Sequence, residues 1–205
     1  MKHTVLIADD HALIRVALSS LLDAEDDFTV VGQAKNGIEA VQEAMRLNPE
    51  IVIMDIAMPK KDGVAATEEI HRACPDVKIF LLTTYASSDA LARALAAGAA
   101  GALLKSSDND KLFAALRAVA SGRQSVSPEL RRQLETEPPL PLLSERQRAV
   151  LKQLTDGRSN KEIAADLGIS IPRVEELINE IRQKFHVSNR TEAVALALRR
   201  QLLKI

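Results

Sequence analysis

The stretch from Glu50 to Gly63 constrains the fold of this chain more than any other. Ile51 to Met54 is an unbroken apolar run, β-branched at three of its four positions, which is typical of a strand buried on both faces. Asp55 follows the run directly. Pro59 and Gly63 then predict a loop, because proline lacks an amide N–H and glycine tolerates a positive φ. A carboxylate is therefore predicted at the end of a buried strand.

Three further apolar runs also end on polar side chains. The runs and the residues that follow them are 4–8 before Asp9 and Asp10, 78–82 before Thr83, and 101–104 before Lys105. Because helical patterns separate the runs, we expect an open parallel sheet, in which the carboxyl ends of the strands share one edge where ligands bind. A lone Asp55 would be interpreted as a solvated loop residue or a helix cap, whereas the four runs together predict a common site.

The polar residues at the ends of the four runs, taken in their order along the chain, resemble those of the receiver domain of bacterial two-component response regulators. The resemblance covers roughly residues 1–121. The resemblance implies an α/β doubly wound, flavodoxin-like fold with five parallel strands, which agrees with the five strands and five helices that the apolar pattern predicts. It implies that Asp55 accepts a phosphoryl group from a sensor histidine kinase. It also implies a Mg²⁺ ion bound by Asp9, Asp10, Asp55 and the backbone carbonyl of Ala57.

The chemistry of these residue types fits that role. Mg²⁺ prefers carboxylate, carbonyl and water oxygens in an octahedral arrangement, and phosphoryl transfer depends mainly on positioning and charge neutralisation. Mg²⁺ and Lys105 would offset the charge on the phosphoryl oxygens, while the Thr83 hydroxyl would donate a hydrogen bond to one of them. Asp55 needs no separate base, because a carboxylate is ionised near neutral pH.

Two positions near the predicted site depart from the usual receiver pattern. Receivers usually carry, three residues before the lysine, an aromatic ring that turns inward when the threonine engages the phosphoryl group, whereas this chain has Ala102 there. Tyr85, two residues after Thr83, either takes part in the readout, shields the phosphoryl group, or lies outward without a role. Ser106 stands where many receivers have proline after the lysine, which argues against a cis peptide bond at this point.

The length and the charge distribution predict two domains. A chain of 205 residues suits two small domains, and the prolines between residues 137 and 141 predict a semi-rigid linker over residues 122–141. Residues 1–125 contain 13 Lys and Arg against 17 Asp and Glu, whereas residues 142–205 contain 12 against 8. The basic excess of the second part indicates contact with a polyanion, although an ordinary solvated surface can carry the same excess.

The sequence also restricts where the protein is expected to act. No apolar run approaches the roughly 20 residues of a membrane span, and the first predicted strand begins too close to Met1 for a signal peptide. The single cysteine, Cys74, excludes an internal disulfide. We therefore expect a cytoplasmic protein without membrane contact.

Residues 142–205 predict a small all-α domain. Ser144 and Ser159 are placed to cap helices, with Gln147 and Glu162 three residues later in the capping-box position. Short helices around a glycine turn are typical of the helix-turn-helix motif.

The stretches Gly157–Ala164 and Val187–Ala193 closely resemble a LuxR-type helix-turn-helix domain. A receiver followed by this domain is the architecture of NarL/FixJ-type response regulators, so the resemblance covers nearly the whole chain. It implies a transcription regulator that binds double-stranded promoter DNA. It also implies that phosphorylation favours a homodimer whose recognition helices are spaced one DNA turn apart.

The predicted recognition helix departs from the family, since Glu175, Glu176 and Asn179 occupy positions that usually enter the major groove. Two carboxylates there would repel phosphates, although Glu can accept from cytosine and Asn can bind adenine. The predicted phosphate contacts are five basic residues, namely Lys161, Arg173, Arg182, Lys184 and Arg190. DNA binding is favoured, and the alternative is a domain that binds a protein partner.

A phosphatase of the haloacid dehalogenase type also uses an Asp nucleophile, a Thr and a Lys. That class needs a second acid two residues after the nucleophile, where this chain has Ala57. We therefore expect a protein that slowly hydrolyses its own aspartyl phosphate and is not a turnover enzyme.

Overall fold

The computed structural model describes residues 2–84, 87–200 and 202. The chain divides into two compact units, Met1–Pro138 and Pro139–Ile205, which we call the first unit and the second unit. Every helix in the described part of the chain is too short or too polar to span a lipid bilayer.

The first unit is a parallel sheet with helices on both faces. Its strands are β1 (His3–Ala8), β2 (Phe28–Ala34), β3 (Ile51–Met54), β4 (Lys78–Thr83), β5 (Ala99–Leu104) and β6 (Ser125–Val126). Its helices are α1 (Ala12–Asp23), α2 (Gly37–Leu47), α3 (Gly63–Ala73), α4 (Ser88–Ala96), α5 (Asn109–Ala120) and α6 (Pro128–Thr136). All neighbouring strands are parallel, in the order β2-β1-β3-β4-β5-β6. This confirms the doubly wound fold, with one strand more than predicted.

The central strands are buried because alternate side chains enter opposite cores. Leu6 and Met54 pack into one core with side chains of α2, α3, α4 and α6. Ile7 and Ile53 pack into the other core with side chains of α1 and α5. The unbroken apolar runs of β1 and β3 are therefore those of strands covered on both faces.

Residues 125–136 belong to the first unit, so the predicted linker at 122–141 is wrong over this stretch. Ser125 pairs with Gly101 of β5, and Leu130 of α6 is completely buried in the core that contains β1 and β3 side chains. The residues of α6 show no apolar periodicity that predicts a buried face, because Leu130 is the one residue of this helix that is fully buried. The pairing of β6 with β5, which is distant along the chain, places this segment in the first unit.

The second unit is a cluster of four helices in its described residues. They are α7 (Glu145–Thr155), α8 (Asn160–Leu167), α9 (Ile171–Phe185) and α10 (Arg190–Arg199). The capping boxes of Ser144 with Gln147 and of Ser159 with Glu162 are both present, as predicted. Gly168 ends α8 with a φ of 63°, a left-handed conformation that glycine adopts without a Cβ clash, and α9 begins directly after this turn.

Candidate functional site

An acidic site lies where β1 and β3 end at the same edge of the sheet. The Asp55 N–H donates to the carbonyl of Ala8 at 2.8 Å, and the Asp9 N–H donates to the carbonyl of Ala34 at 3.1 Å. The hydrogen-bond ladder therefore continues past the strand ends and fixes both aspartates. Both are buried, Asp9 with 2% and Asp55 with 4% of its surface exposed. Their carboxylates share a site that water barely reaches.

The ammonium group of Lys105 bridges these two carboxylates. Its Nζ lies 2.6 Å from Asp9 Oδ2 and 2.9 Å from Asp55 Oδ2. The Lys105 N–H donates to the carbonyl of Thr83 at 2.8 Å, which holds the lysine at the end of β5. The structure thus brings together three of the residues that the strand-end pattern singled out.

Burial and pairing act on the ionisation of this site in opposite directions. Burial raises the pKa of Asp55, and the hydrogen bond from Lys105 offsets only part of that increase. Burial lowers the pKa of Lys105, but its hydrogen bonds to Asp9 and Asp55 outweigh this and leave the pKa raised. An additional positive charge beside Asp55 would therefore favour its ionised form.

Asp10 and His11 extend the acidic site towards solvent. The His11 Nδ1 lies 2.7 Å from Asp10 Oδ1. Four potential ligand atoms lie within 4.8 Å of one another, one each from Asp9, Asp10, His11 and Asp55. Three carboxylates at this spacing are the donor set that a hard divalent cation such as Mg²⁺ requires. His11 follows the acid pair directly in the sequence, and this position is the signal that could have placed it at the site.

The loop after β3 turns back on the strand that delivers Asp55. Ala57 lies in this loop and is exposed, and the Gly63 N–H donates to the carbonyl of Ile56 at 2.9 Å. A Cβ at Gly63 would stand only 2.0 Å from the carbonyl oxygen of Asp55, so the close return of the chain requires glycine. Asp62 then caps α3 by accepting from the Ala65 N–H at 2.7 Å. Gly63, which the sequence analysis assigned to this loop, is thus what lets the loop lie against the site.

Thr83 and Ala102 are both buried, with 1% and 0% of their surface exposed. Thr83 ends β4, and its Cα is paired with that of Leu104 in β5, next to Lys105. Tyr85, the other predicted switch or shielding residue, lies outside the described residues. Within the described residues all peptide bonds are trans, including the one after Lys105.

In the second unit, α8, the Gly168 turn and α9 form a helix-turn-helix. Glu175, Glu176 and Asn179 are all exposed on α9, as is Lys161 in the first turn of α8. The acidic residues therefore lie on the solvent-accessible side of the predicted recognition helix, while its apolar residues pack into the core of the unit.

Four of the five predicted phosphate contacts are engaged within the second unit. Arg173 Nη1 lies 2.7 Å from Glu176 Oε2 and 3.3 Å from Glu180 Oε1. The Lys184 Nζ donates to the carbonyl of Leu142 at 2.7 Å and to Gln147 Oε1 at 2.9 Å.

Arg182 and Arg190 likewise bond within the unit. Arg182 donates to Asn179 Oδ1 at 3.1 Å and to the Ser188 carbonyl, and Arg190 donates to Asn160 Oδ1 at 3.3 Å. These basic side chains stabilise the helical unit itself, so part of their hydrogen-bonding capacity is already used within it.

Two protein families match this chain in sequence. Residues 5–117 match the family described as "Response regulator receiver domain". Residues 141–197 match the family described as "Bacterial regulatory proteins, luxR family". The two matches fall on the first and second units respectively.

Individual relatives match over nearly the full length. The chain is 35% identical to the oxygen regulatory protein NreC of Staphylococcus carnosus (strain TM300), over 97% of this chain and 98% of that protein. It is 34% identical to the response regulator ChrA of a heme-sensing two-component system, whose crystal structure gives a TM-score of 0.59 and 98% coverage of both chains. It is 25% identical to RcsB of Salmonella enterica serovar Typhimurium, solved bound to promoter P1flhDC in the presence of the phosphomimetic BeF3⁻, with a TM-score of 0.70 and 95% of this chain and 97% of that chain covered. The similarity therefore extends over both units.

Proposed function

This chain belongs to the response regulators that join a receiver domain to a LuxR-type regulatory domain, and we propose that Asp55 is its phosphoacceptor. These proteins are transcription regulators and not turnover enzymes. The observation that carries the proposal is the placement of a buried carboxylate at the end of β3, 2.9 Å from the Lys105 ammonium and within one cluster with Asp9 and Asp10. We assign the phosphoacceptor role to the first unit and the output role to the second.

The Asp55 carboxylate is the nucleophile. One of its oxygens forms a bond to phosphorus as the P–N bond of a kinase phosphohistidine breaks, and the imidazole leaves with the electron pair. Lys105 moves from the carboxylates to the transferred group and pairs with a phosphoryl oxygen, because the negative charge increases there. The Thr83 hydroxyl donates a hydrogen bond to another phosphoryl oxygen.

Asp9, Asp10, Asp55 and the Ala57 carbonyl would hold Mg²⁺, whose charge neutralises the phosphoryl oxygens when it is bound. The carboxylate-rich donor set supports this assignment. The raised pKa of Asp55 supports it as well, since burial disfavours the ionised nucleophile until another positive charge compensates it.

The second unit is proposed to bind promoter DNA through α9, with Lys161 and the other basic residues at the phosphates. The helix-turn-helix geometry and the solved RcsB–promoter complex support this role. Phosphorylation of Asp55 is proposed to favour a homodimer, which would place two identical second units on the two halves of a two-fold symmetric operator.

A second candidate for the output is a protein partner. It is favoured by the acidic side of α9, where Glu176 accepts a hydrogen bond from Arg173 at 2.7 Å and leaves less free positive charge for phosphates. A basic partner surface would complement Glu175 and Glu176.

The phosphoacceptor is tested by incubating the full chain with a small-molecule acyl phosphate and Mg²⁺. We expect one phosphoryl group on Asp55, lost in Asp55→Asn and on chelation of the metal. Asp76→Asn, which changes an exposed aspartate in the turn before β4, is the matched control and keeps the label. Label that persists in Asp55→Asn on an acid-stable residue contradicts the assignment.

The output is tested by selecting binding sites from random duplex DNA with phosphorylated and unphosphorylated protein. Enrichment of a two-fold symmetric site by the phosphorylated form supports the DNA-binding role, and sedimentation of the same samples reports dimer formation. Failure to enrich any site, with phosphorylation and dimerisation intact, favours the protein partner.

A further inference from the structure

His11 occupies the N-cap position of α1 but does not cap the helix. Its backbone is extended, with φ −84° and ψ 110°, and its side chain makes no capping hydrogen bond. Ser, Thr, Asp and Asn are preferred at this position because their oxygen accepts from the first free N–H groups. The start of α1 therefore gives no structural reason for an imidazole here.

The imidazole of His11 is turned to the acid pair instead. Its Nδ1 lies 2.7 Å from Asp10 Oδ1 and 3.3 Å from Asp9 Oδ1. The ring is two-thirds exposed, so an ion arriving from solvent can reach it. The His11 N–H also donates to Asp9 Oδ1 at 2.9 Å, which fixes the backbone next to the carboxylate.

The two oxygens of Asp9 face different groups. Oδ2 lies 2.6 Å from the Lys105 ammonium, whereas Oδ1 lies 3.3 Å from His11 Nδ1. A cation bound on the Oδ1 side can therefore coexist with the lysine on the Oδ2 side, and His11 lies next to that position.

The spacing of these atoms fits one coordination shell. Metal–ligand bonds of about 2.1 Å place neighbouring donors of an octahedron about 3 Å apart and opposite donors about 4 Å apart. The Nδ1 of His11 meets the first distance with both Asp9 and Asp10. All four donors of the cluster lie within 4.8 Å of one another, slightly more than the opposite-donor distance, so the exposed Asp10 and His11 side chains would close in on a bound ion.

We propose that His11 Nδ1 is a direct ligand of the divalent cation at this site. This nitrogen ligand gives the site a preference for transition-metal ions over Mg²⁺. This inference rests on the proposed metal-dependent phosphoacceptor site. A site with oxygen donors alone suits Mg²⁺, whereas an imidazole suits Ni²⁺ and the other later first-row ions, whose affinities rise from Mn²⁺ through Co²⁺ to Ni²⁺. His11 is thereby a specificity-determining residue for the ion.

The first measurement is calorimetric titration of the metal-free full chain with Mg²⁺ and with Ni²⁺. His11→Asn is the informative variant, because Asn restores a good helix cap and an oxygen donor while it removes the imidazole. We expect the variant to lose about tenfold or more in Ni²⁺ affinity and clearly less in Mg²⁺ affinity, because Mg²⁺ prefers oxygen donors such as the Asn side chain. His71→Ala, an exposed histidine on α3, is the control for Ni²⁺ bound elsewhere and leaves this preference intact.

The second measurement is pulsed electron paramagnetic resonance of the Mn²⁺-loaded chain. A coordinated imidazole gives a nitrogen coupling to the Mn²⁺ electron spin, which we expect in the wild type and in His71→Ala but not in His11→Asn. Equal Ni²⁺ preference in wild type and His11→Asn, or a nitrogen coupling that survives the substitution, overturns the inference and leaves His11 as an ion-pair partner of Asp10.

The phosphoacceptor role of Asp55 and the metal preference given by His11 can each be wrong while the other is right. Phosphorylation of the wild-type chain from an acyl phosphate with Mg²⁺ tests the phosphoacceptor role of Asp55, and the metal titrations test His11. If the wild type takes up no phosphoryl group at Asp55, the proposed function fails whatever the metal titrations give.

Discussion

Ser127 donates its backbone N–H to the carbonyl of Ala102 at 3.0 Å, which attaches the segment after α5 to the edge strand β5. Ala102 also pairs with Val126 of β6, and it shares a core with Leu130 of α6. The position where receivers usually carry the switching aromatic is therefore a fully buried methyl group. Strand β6 and helix α6 therefore cover β5 at this edge of the sheet.

Replacing Leu130 by Ala tests whether α6 is part of the first unit. Because Leu130 is completely buried, we expect the substitution to lower the free energy of unfolding of this unit by about 2–5 kcal/mol. Urea unfolding followed by the fluorescence of Tyr85, the single tyrosine of the sequence, whose number falls between 1 and 138, measures the change. Leu142→Ala, at a leucine that is 67% exposed, is the control. Equal midpoints for both variants and the wild type would show that α6 does not stabilise the unit.

The sequence predicted the elements whose signals are local. Unbroken apolar runs located β1, β3, β4 and most of β5, and the polar residues after them located Asp9, Asp55 and Lys105 in one site. Serine and glycine signals located the helix starts and the turn of the second unit, because capping and left-handed backbone depend on a few neighbouring residues.

The remaining features depend on contacts between distant residues. Strand β6 has two residues, and it exists because β5 offers an open edge. Leu13 of α1 is an apolar residue that is nevertheless 84% exposed, which its residue type alone does not predict. The pairing of Arg173 with Glu180 is set by side-chain rotamers on α9, so their charges alone did not predict it.

Asp27 makes the stability of the first unit depend on pH. Arg117 holds it with two hydrogen bonds of 2.6 and 3.0 Å, and this pairing lowers the pKa of Asp27 below its usual 3.8. The folded state therefore favours the carboxylate, so the stabilisation is complete above the unfolded pKa and is lost as the pH falls through the folded one. Because the pair is partly exposed, the effect is small.

We expect Asp27→Asn to be slightly less stable than the wild type near neutral pH. The difference is expected to shrink at pH values well below 3.8, where the wild type also loses the ion pair. Urea midpoints at neutral and acidic pH measure it, with Asp76→Asn as the control for removal of an exposed carboxylate. A difference that is the same at both pH values would contradict the assignment to this pair.

Tyr85 is predicted to slow hydrolysis of the aspartyl phosphate, from its place two residues after Thr83. A ring over the phosphoryl group would obstruct the attacking water, so Tyr85→Ala should shorten the lifetime of phosphorylated Asp55 severalfold, while Tyr85→Phe keeps it. Loss of label over time measures the lifetime, and sedimentation of the same samples follows dimer formation. An unchanged lifetime in Tyr85→Ala removes the shielding role, and unchanged phosphorylation-dependent dimerisation removes any part in the readout.

Glu175 and Glu176 are predicted to weaken the contact of α9 with DNA. Glu175→Lys adds a positive charge on the exposed side of the helix, and Glu176→Thr removes the carboxylate that lies 2.7 Å from Arg173 Nη1. The double variant should therefore bind nonspecific duplex DNA more tightly. Its affinity should also fall more steeply with salt, by about 0.9 in the logarithmic slope for each added phosphate contact.

Titration of fluorescent duplex DNA at several salt concentrations measures both quantities. Glu145→Lys combined with Asp156→Asn, which makes the same net-charge change as the double variant at exposed positions on α7 and its C-cap, is the matched control and tests whether the gain comes from net charge alone. A gain confined to the α9 variant places the repulsion at the groove-facing positions. If the double variant instead loses binding to a site selected by the wild type, the two glutamates read bases, and their carboxylates contribute specificity through hydrogen bonds from cytosine.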